Sequence, residues 1–172
     1  TKSSSETLEG ATKGNVLEVL SNGIVRVGTF ADYGRDTLLR IDDGKFYATG
    51  GVVLPHYNSG NTNLTVEISG AAPILRTDSA SDYTVSRAAY AMAFRKWAHI
   101  KFKVPKAGWS EPPIQVPNGE LGIFGNSILE FDLDEFLAEN GGVGGNVVLT
   151  NARLADYQAS MISDSNALLK KK

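Results

Sequence analysis

Apolar and polar residues alternate in short runs along residues 16–50, and two turn-forming dipeptides interrupt the alternation. In the run VLEVLSNGIVRVG, the Asn-Gly pair at 22–23 suits the positive φ angles of a type I′ turn, so its β-branched flanks predict a hairpin. The run TLLRIDDGKFYAT repeats the pattern around the Asp-Gly pair at 43–44, which would set Ile41 opposite Phe46. We therefore expect two successive hairpins.

A third hairpin is expected between the runs GGVVLPHY and NLTVEIS, which the polar stretch NSGNT separates. In the second run, Leu64, Val66 and Ile68 alternate with polar residues, so they predict the core-facing side of a strand. Three hairpins in succession predict an antiparallel meander.

The segment Ser86–Lys106, SRAAYAMAFRKWAHIKFKVPK, fits two periodicities. As a helix, it places Tyr90, Phe94 and Trp97 on one stripe. As a strand, it separates apolar even positions from basic odd positions, and Lys96 departs from the alternation. Because the period of two separates the two classes better, we expect a strand with a bend or bulge, and the helix stays the alternative.

Two short helices are expected after the sheet. The run LDEFLAEN follows an acidic cap at Asp132 or Asp134 and stops at Gly141. The run NARLADYQASMI carries its apolar residues at helical spacing. The predicted fold class is α+β: an antiparallel β-sheet meander with an N-terminal hairpin, followed by two short C-terminal helices. We find no internal repeat of roughly 20 to 50 residues.

The chain divides into a polar N-terminal arm at 1–15, a single β-rich domain with its C-terminal helices at 16–165, and a basic tail at 166–172. Its 172 residues are typical of one domain. The absence of Cys excludes disulfides and thiolate metal sites. No apolar run is long enough to cross a bilayer, so we expect no membrane partner and synthesis in the cytoplasm.

Charge is strongly segregated along the chain. Residues 83–110 carry six Lys or Arg and no acid, whereas residues 107–152 carry seven acids and no Lys or Arg. On a strand, the odd positions would form a basic face, where cations neutralise phosphates and aromatic rings stack on bases. This candidate nucleic-acid-binding site consists of Arg87, Arg95, Trp97, His99, Lys101 and Lys103. The alternatives are a solvated charged face, or a surface that meets the acidic block of another subunit.

Catalytic and metal-binding patterns are weak. The acids from Glu130 to Glu139 lack the glycine and spacing of an EF-hand loop, so we expect helix capping and no metal. The two histidines, His56 and His99, stand in no recognised catalytic arrangement. We therefore expect no enzymatic activity and no cofactor, although glycoside hydrolysis needs only two carboxylates.

From about Val16 to Ile162, the predicted order of hairpin, meander, strand VSRAAYAMAFRKWAHIKFKVP and two terminal helices resembles the coat proteins of single-stranded RNA bacteriophages. The resemblance implies a sheet that faces the capsid interior, helices that lock onto a dimer partner, and RNA contact through the six candidate residues. The chain departs from that family in its greater length, its arm, its KKK tail and the insertion AGWSEPPIQVPNGELG.

These inferences predict a viral structural coat protein, located in the virion, that assembles with copies of itself and contacts nucleic acid, RNA in the first instance. The alternative is a small β-barrel or β-sandwich domain that binds a ligand or carbohydrate, or a hydrolase of that shape. A protein that stays monomeric would count against the coat prediction.

Overall fold

The computed structural model describes residues 14–31, 36–55, 63–81, 83–85, 88–124, 126–133, 135 and 168–171. Each element in this part is a β-strand. In chain order the strands are β1 Val16–Val19, β2 Ile24–Val27, β3 Phe30–Ala31, β4 Thr37–Asp42, β5 Lys45–Ala48, β6 Val52–Leu54, β7 Leu64–Ser69, β8 Ile74–Thr77, β9 Tyr83–Val85, β10 Ala88–Tyr90, β11 Met92–Phe94, β12 His99–Lys103, β13 Ile114–Gln115, β14 Leu121–Ile123, β15 Ile128–Asp132 and β16 Leu168–Lys171.

Most of these strands form three parallel sheets. The six-stranded sheet has the order β1-β4-β7-β12-β15-β16, the β2 sheet has the order β2-β5-β8-β13, and the β3 sheet has the order β3-β6-β11-β14. The chain visits the three sheets in turn and then starts the next circuit beside the strand where the previous one began. Each circuit is therefore one coil of a parallel β-helix. A separate antiparallel pair, β9 and β10, is inserted in the third coil.

On the strands of the coils whose side chains are described, alternate residues point into the centre of the coils. On β7, the predicted core residues Leu64, Val66 and Ile68 are buried, whereas Thr65 and Glu67 are only partly buried. Because the strands are parallel and in register, inward residues stack on inward residues of the next coil. The largest fully buried side chains are Phe46, Phe94, Phe102, Leu39, Ile41, Leu54, Ile68, Leu75, Met92, Ile100, Ile123 and Leu129. These stacks form one continuous apolar core.

The prediction of an antiparallel meander of hairpins is wrong. Asn22 and Asp43 do adopt positive φ angles, of 62° and 55°. However, they turn the chain out of one sheet and into the next, so β1 and β2 do not pair. Instead, β1 pairs with β4 and β2 pairs with β5, each one coil further along the chain. The same turn residues serve hairpins and coil corners, and only the stacking of whole coils decides which partner a strand finds.

The other expected hairpin contacts change in the same way. Ile41 and Phe46 are both fully buried, but they enter the core from two different sheets. The runs around β6 and β7 also lie in different sheets, so the third hairpin is absent from the described residues.

The segment Ser86–Lys106 contains three short strands, β10, β11 and β12, and neither one long strand nor a helix. A corner at 95–98 separates β11 from β12, and its residue Lys96 has a φ of 47°. Lys96 is the residue that interrupts the alternation in the sequence. On either side of the corner the alternation holds, since Phe94 and Ile100 are both fully buried.

The α+β class with two C-terminal helices is also wrong, because the described elements are strands. Most of the run LDEFLAEN and all of NARLADYQASMI lie outside the described residues, as does nearly all of the predicted arm. Residues 168–171, which belong to the predicted basic tail, form β16 and pair with β15.

The third coil is enlarged between β8 and β11, and part of this insertion lies against the outside of the β3 sheet. The ring of Tyr90 packs edge-on against Phe124, with their centroids 5.0 Å apart. Val53 and Ala93 occupy the positions of β6 and β11 that alternate with core residues, and yet both are buried. The β3 sheet is therefore covered on both faces around these residues.

Candidate binding surfaces

The outer face of the six-stranded sheet carries the predicted residues His99, Lys101 and Lys103. They alternate along β12 with Ile100 and Phe102, which are buried in the core. The sequence pattern thus identified the outward positions of this strand. Their placement is the direct result of the period-two geometry of a strand.

The other three candidate residues lie elsewhere. Arg95 and Trp97 belong to the corner before β12, not to the sheet face. The Arg95 side chain is partly buried, and its amide N–H donates to the Leu54 carbonyl oxygen at 2.8 Å. Trp97 is 55% exposed. Arg87 lies outside the described residues, so the predicted six-residue site is only half assembled on one surface.

The middle outward positions of the six-stranded sheet form a row of alternating charge, which we call the charge row. In register across the strands, it consists of Glu18, Arg40, Glu67, Lys101 and Glu130. The Arg40 guanidinium donates to the Glu67 carboxylate at 3.0 Å and to the Glu18 carboxylate on its other side. Lys101 stands between Glu67 and Glu130. Each of the two basic residues in the row therefore has an acidic residue on both neighbouring strands.

The other two candidate residues of β12, His99 and Lys103, also lie beside acids. His99 Nε2 is 2.9 Å from Glu130 Oε2, and Lys103 Nζ is 2.7 Å from Glu135 Oε1. The acids come from β15 and from the residues just after it, which belong to the acidic block of the sequence. The two oppositely charged blocks are brought together because β12 and β15 are neighbours in the sheet.

These contacts stabilise the protonated forms of Arg40 and Lys103. The hydrogen bond to Glu67 is the main cause that raises the pKa of Arg40 above its ordinary value. The hydrogen bond to Glu135 likewise raises the pKa of Lys103. Both residues stay protonated through the neutral range, so the face combines fixed positive and negative charges. A phosphate chain would meet more carboxylates than fixed cations here, and the geometry gives the nucleic-acid prediction no support.

A second outward row was missed by the sequence interpretation and lies on the β2 sheet. The Arg26 guanidinium stacks over the Tyr47 ring, 4.7 Å from its centroid. In the next coil, Arg76 bonds Asp78 and also donates to Gln115 Oε1 at 3.3 Å. No signal in the sequence identified this row, because the residues come from four coils and share only their register.

The corners before the six-stranded sheet form a third surface, which we call the corner row: Asp36, Asn63, Trp97 and Asn126. Asn63 Nδ2 donates to Asp36 Oδ1 at 2.9 Å, which links two successive corners. All four side chains of the corner row are exposed. Trp97 is the one large apolar residue among them.

The first coil leaves a fourth surface, an apolar end of the β-helix, which we call the open coil. Its exposed apolar residues are Val16, Leu17, Leu20 and Ile24. Beyond β1 and β2, no further strand among the described residues pairs with this end. Within the described part of the chain, both strands are therefore edges of their sheets.

Comparisons with protein-family models, with curated proteins and with solved structures find no match for this chain. Among the residues with described positions, no three His, Asp or Glu side chains cluster closely enough to hold a metal ion. The same residues include no helix with the length and apolarity needed to cross a bilayer. Inference about function therefore depends on the four surfaces described above.

Proposed function

We propose that this chain is a non-enzymatic structural subunit, a β-helical rod that joins copies of itself end to end through the open coil. The observation that carries the proposal is the exposure of four apolar residues at one end of the rod. Leu17, which is in register with the buried Leu39, is 36% exposed, and the outward residues Val16 and Ile24 of the same coil are 60% and 57% exposed.

A solenoid end of this kind is costly to leave in water. Repeat proteins remain soluble when a terminal repeat with a polar outer face closes the core. The open coil has the opposite character, since its exposed apolar residues accompany two strands that are sheet edges among the described residues. A further strand that pairs with β1 would remove both features at once.

A second copy is the occupant that the charges favour. The charge row ends in Glu18 at the open coil, whereas Lys170 of β16 is in register with Glu130 at the other end of the six-stranded sheet. If β16 of one copy pairs in parallel with β1 of the next, Lys170 comes beside Glu18 and the alternation of charge continues across the junction. Residues 1–13, in contrast, contain only Leu8 and Ala11 as apolar residues, so they offer little to cover this surface.

The two surfaces in such a junction differ, so the contact is heterologous and does not close after two copies. The expected product is a filament or an open oligomer that grows with protein concentration. Self-assembly is one part of the coat-protein prediction. The viral shell, the virion location, the RNA contact and the resemblance to phage coat proteins stay predictions.

Sedimentation velocity over a hundredfold range of concentration, with electron microscopy of the same samples, tests the proposal. The wild-type chain should form species that grow in length with concentration. The variant with Leu20→Lys and Ile24→Lys changes two exposed residues of the open coil, so it should fold normally and remain a monomer. Trp97→Ala removes an equally exposed apolar residue from another surface and should assemble like wild type.

A wild-type chain that stays monomeric at every concentration would refute the proposal. So would a dimer that never grows, because two identical ends would then be in contact. Assembly that persists in the double Lys variant would show that another surface joins the copies.

A further inference from the structure

We propose that the corner row binds an uncharged oligosaccharide, with the sugar chain lying along the axis of the β-helix and one ring stacked on Trp97. This site is distinct from the open coil, and it can exist whether or not the chain assembles.

The exposure of Trp97 is unusual for its position. Among the described residues, the other exposed large apolar side chains all belong to the open coil. Trp109, the second tryptophan of the chain, is buried, and its indole N–H donates to the Gly70 carbonyl oxygen at 3.0 Å. The fold therefore accommodates one tryptophan in a closed position and presents the other to solvent.

The backbone around Trp97 is firmly held. The preceding residue, Lys96, has a positive φ, and the Ala98 amide donates to the Arg95 carbonyl oxygen at 3.2 Å to close the turn. Ala98 itself is fully buried. The indole is thus presented from a rigid corner, which lowers the entropy that a ligand must overcome when it orders the site.

Register aligns the residues of the corner row. Thr65 lies opposite Leu38 on one side and opposite His99 on the other, while His99 lies opposite Ile128. Each residue of the corner row lies two positions before one of these four strand residues in the sequence. Backbone hydrogen bonds keep the alignment at the corners, from the Thr37 amide to the Asn63 carbonyl oxygen at 3.1 Å and from the Ile128 amide to the Ala98 carbonyl oxygen at 2.8 Å.

The row therefore repeats at the spacing of neighbouring strands, so four corners extend over about 15 Å. This repeat is close to the length of one sugar ring in an extended chain. Trp97 stands inside the row, with Asn63 before it and Asn126 after it. A short oligosaccharide can meet the indole and both amides at the same time.

The chemistry of the row matches a sugar. The face of an indole ring carries partial negative charge, so it attracts the C–H groups on the apolar face of a pyranose. The amides of Asn63 and Asn126 can donate hydrogen bonds to hydroxyls and accept them, and the Asp36 carboxylate can accept them. Ligand sites in general combine such an apolar platform with a few polar groups that fix orientation.

Charge favours an uncharged ligand over nucleic acid. Asp36 lies in the row, and the neighbouring face of the six-stranded sheet holds Glu67 and Glu130 next to its cations. A polyanion along this path would encounter these carboxylates. The hydroxyl groups of a sugar carry no net charge, so these carboxylates do not repel them.

Binding can be followed by the fluorescence of Trp97. The probes are linear, uncharged oligosaccharides of glucose, galactose, mannose and N-acetylglucosamine, with an oligogalacturonide and a single-stranded RNA as charged comparators. We expect at least one uncharged series to shift the emission of the exposed tryptophan, with affinity that rises with chain length up to four rings. Added salt should change this affinity less than twofold.

Three variants examine the assignment, and their binding is measured by isothermal titration calorimetry, because Trp97→Ala and Trp97→Phe lack the reporting fluorophore. Trp97→Ala should weaken binding at least tenfold, and Trp97→Phe should retain part of it. Asn126→Gly keeps a residue that tolerates the positive φ of 63° while removing the amide, and it should weaken binding about threefold. The matched control is Thr49→Ala, because Thr49 is exposed just after β5, outside both the corner row and the open coil, and should not affect sugar binding.

The proposal would be overturned if no uncharged oligosaccharide binds, or if Trp97→Ala binds as well as wild type. Salt-sensitive binding of the RNA that requires Trp97 would also overturn it, in favour of nucleic acid. If the variant with Leu20→Lys and Ile24→Lys loses assembly but still binds the sugar, the sugar site is independent of the proposed structural function.

Discussion

The outer faces of the six-stranded sheet and of the β3 sheet come from the same coils, but they have opposite characters. On the six-stranded sheet, the outward residues are charged or polar and partly exposed, as at Glu67 and Lys101. On the β3 sheet, the outward residues Val53, Ala93 and Gly122 are buried. The alternation that marks a half-exposed strand is therefore present on one sheet and absent from the other.

The difference arises from what covers each sheet. The insertion between β8 and β11 lies against the β3 sheet, where the Ala80 carbonyl oxygen comes close to Gly119 and the Tyr90 ring comes close to Gly122. Small outward residues leave room for this second layer of packing. The six-stranded sheet has no such layer among the described residues, so its outward side chains remain available to solvent and to each other. The ring of Phe124, which follows β14, also lies over Gly122. A solenoid can thus combine a solvated face with one that an insertion and an aromatic side chain close.

Introducing a charged residue on each of the two faces should give the largest difference in the free energy of unfolding. Ala93→Glu puts a carboxylate at a fully buried position, and it should lower the free energy of unfolding by at least about 3 kcal/mol. Thr65→Glu places the same side chain on the outer face of the six-stranded sheet, where it should cost no more than about 1 kcal/mol. Urea denaturation measures both. Equal losses would mean that the two faces do not differ in burial.

A smaller effect is expected from a methyl group at the insertion contact. In Gly119→Ala, the added Cβ would lie 2.4 Å from the Ala80 carbonyl oxygen and 2.5 Å from the Ala91 Cβ. One of these groups must move, so we expect a loss of about 1–3 kcal/mol. Thr65→Ala is the control on the solvated face and should change stability by less than about 1 kcal/mol. A stable Gly119→Ala protein would indicate that the insertion can lift away from the sheet.

The smallest effect should come from the charge row. Lys101→Glu creates three adjacent acids, with Glu67 and Glu130 on either side, and it should destabilise the protein by about 1 kcal/mol at low ionic strength. Lys101→Thr removes the charge without repulsion and should be nearly neutral, since exposed ion pairs contribute little. The difference between the variants should shrink in 1 M salt, because salt screens exposed charges. Thermal unfolding at two salt concentrations can measure this.

The same face offers a check of the nucleic-acid prediction. If Lys101 and Lys103 held phosphates, replacing both by Glu would lower the ratio of ultraviolet absorbance at nucleic-acid and protein wavelengths in purified material. We expect no change, because both cations already lie beside acids of their own chain. A clear fall in the ratio would restore the basic face as a nucleic-acid site.

Local features of the fold could be read from the sequence. The alternation in β7 and β12 correctly separated core residues from outward ones, since a strand has a fixed period of two. The Asn-Gly and Asp-Gly pairs correctly marked turns, because Asn and Asp tolerate positive φ. The interruption at Lys96 marked a corner, although we had expected only a bend or bulge.

The partners of the strands could not be read in the same way. Paired positions such as Val16 and Leu38, or Thr65 and His99, are separated by unequal lengths of chain. Insertions at the corners hide the repeat, so no periodic signal for coils is visible along the chain and a hairpin is the simplest interpretation of each turn. The open coil and the corner row were missed for the same reason, because their residues share a surface only through the register of separate coils.

The charged residues show which features of the protein follow from local structure and which depend on tertiary structure. The sequence determined that cations occupy the outward positions of β12 and that acids occupy those of β15, since side-chain direction follows from the strand itself. Only the stacking of coils decided that these two strands lie side by side. At that short distance the interaction between their charges is strong. Two blocks of opposite charge along the chain thus became an alternating row in space.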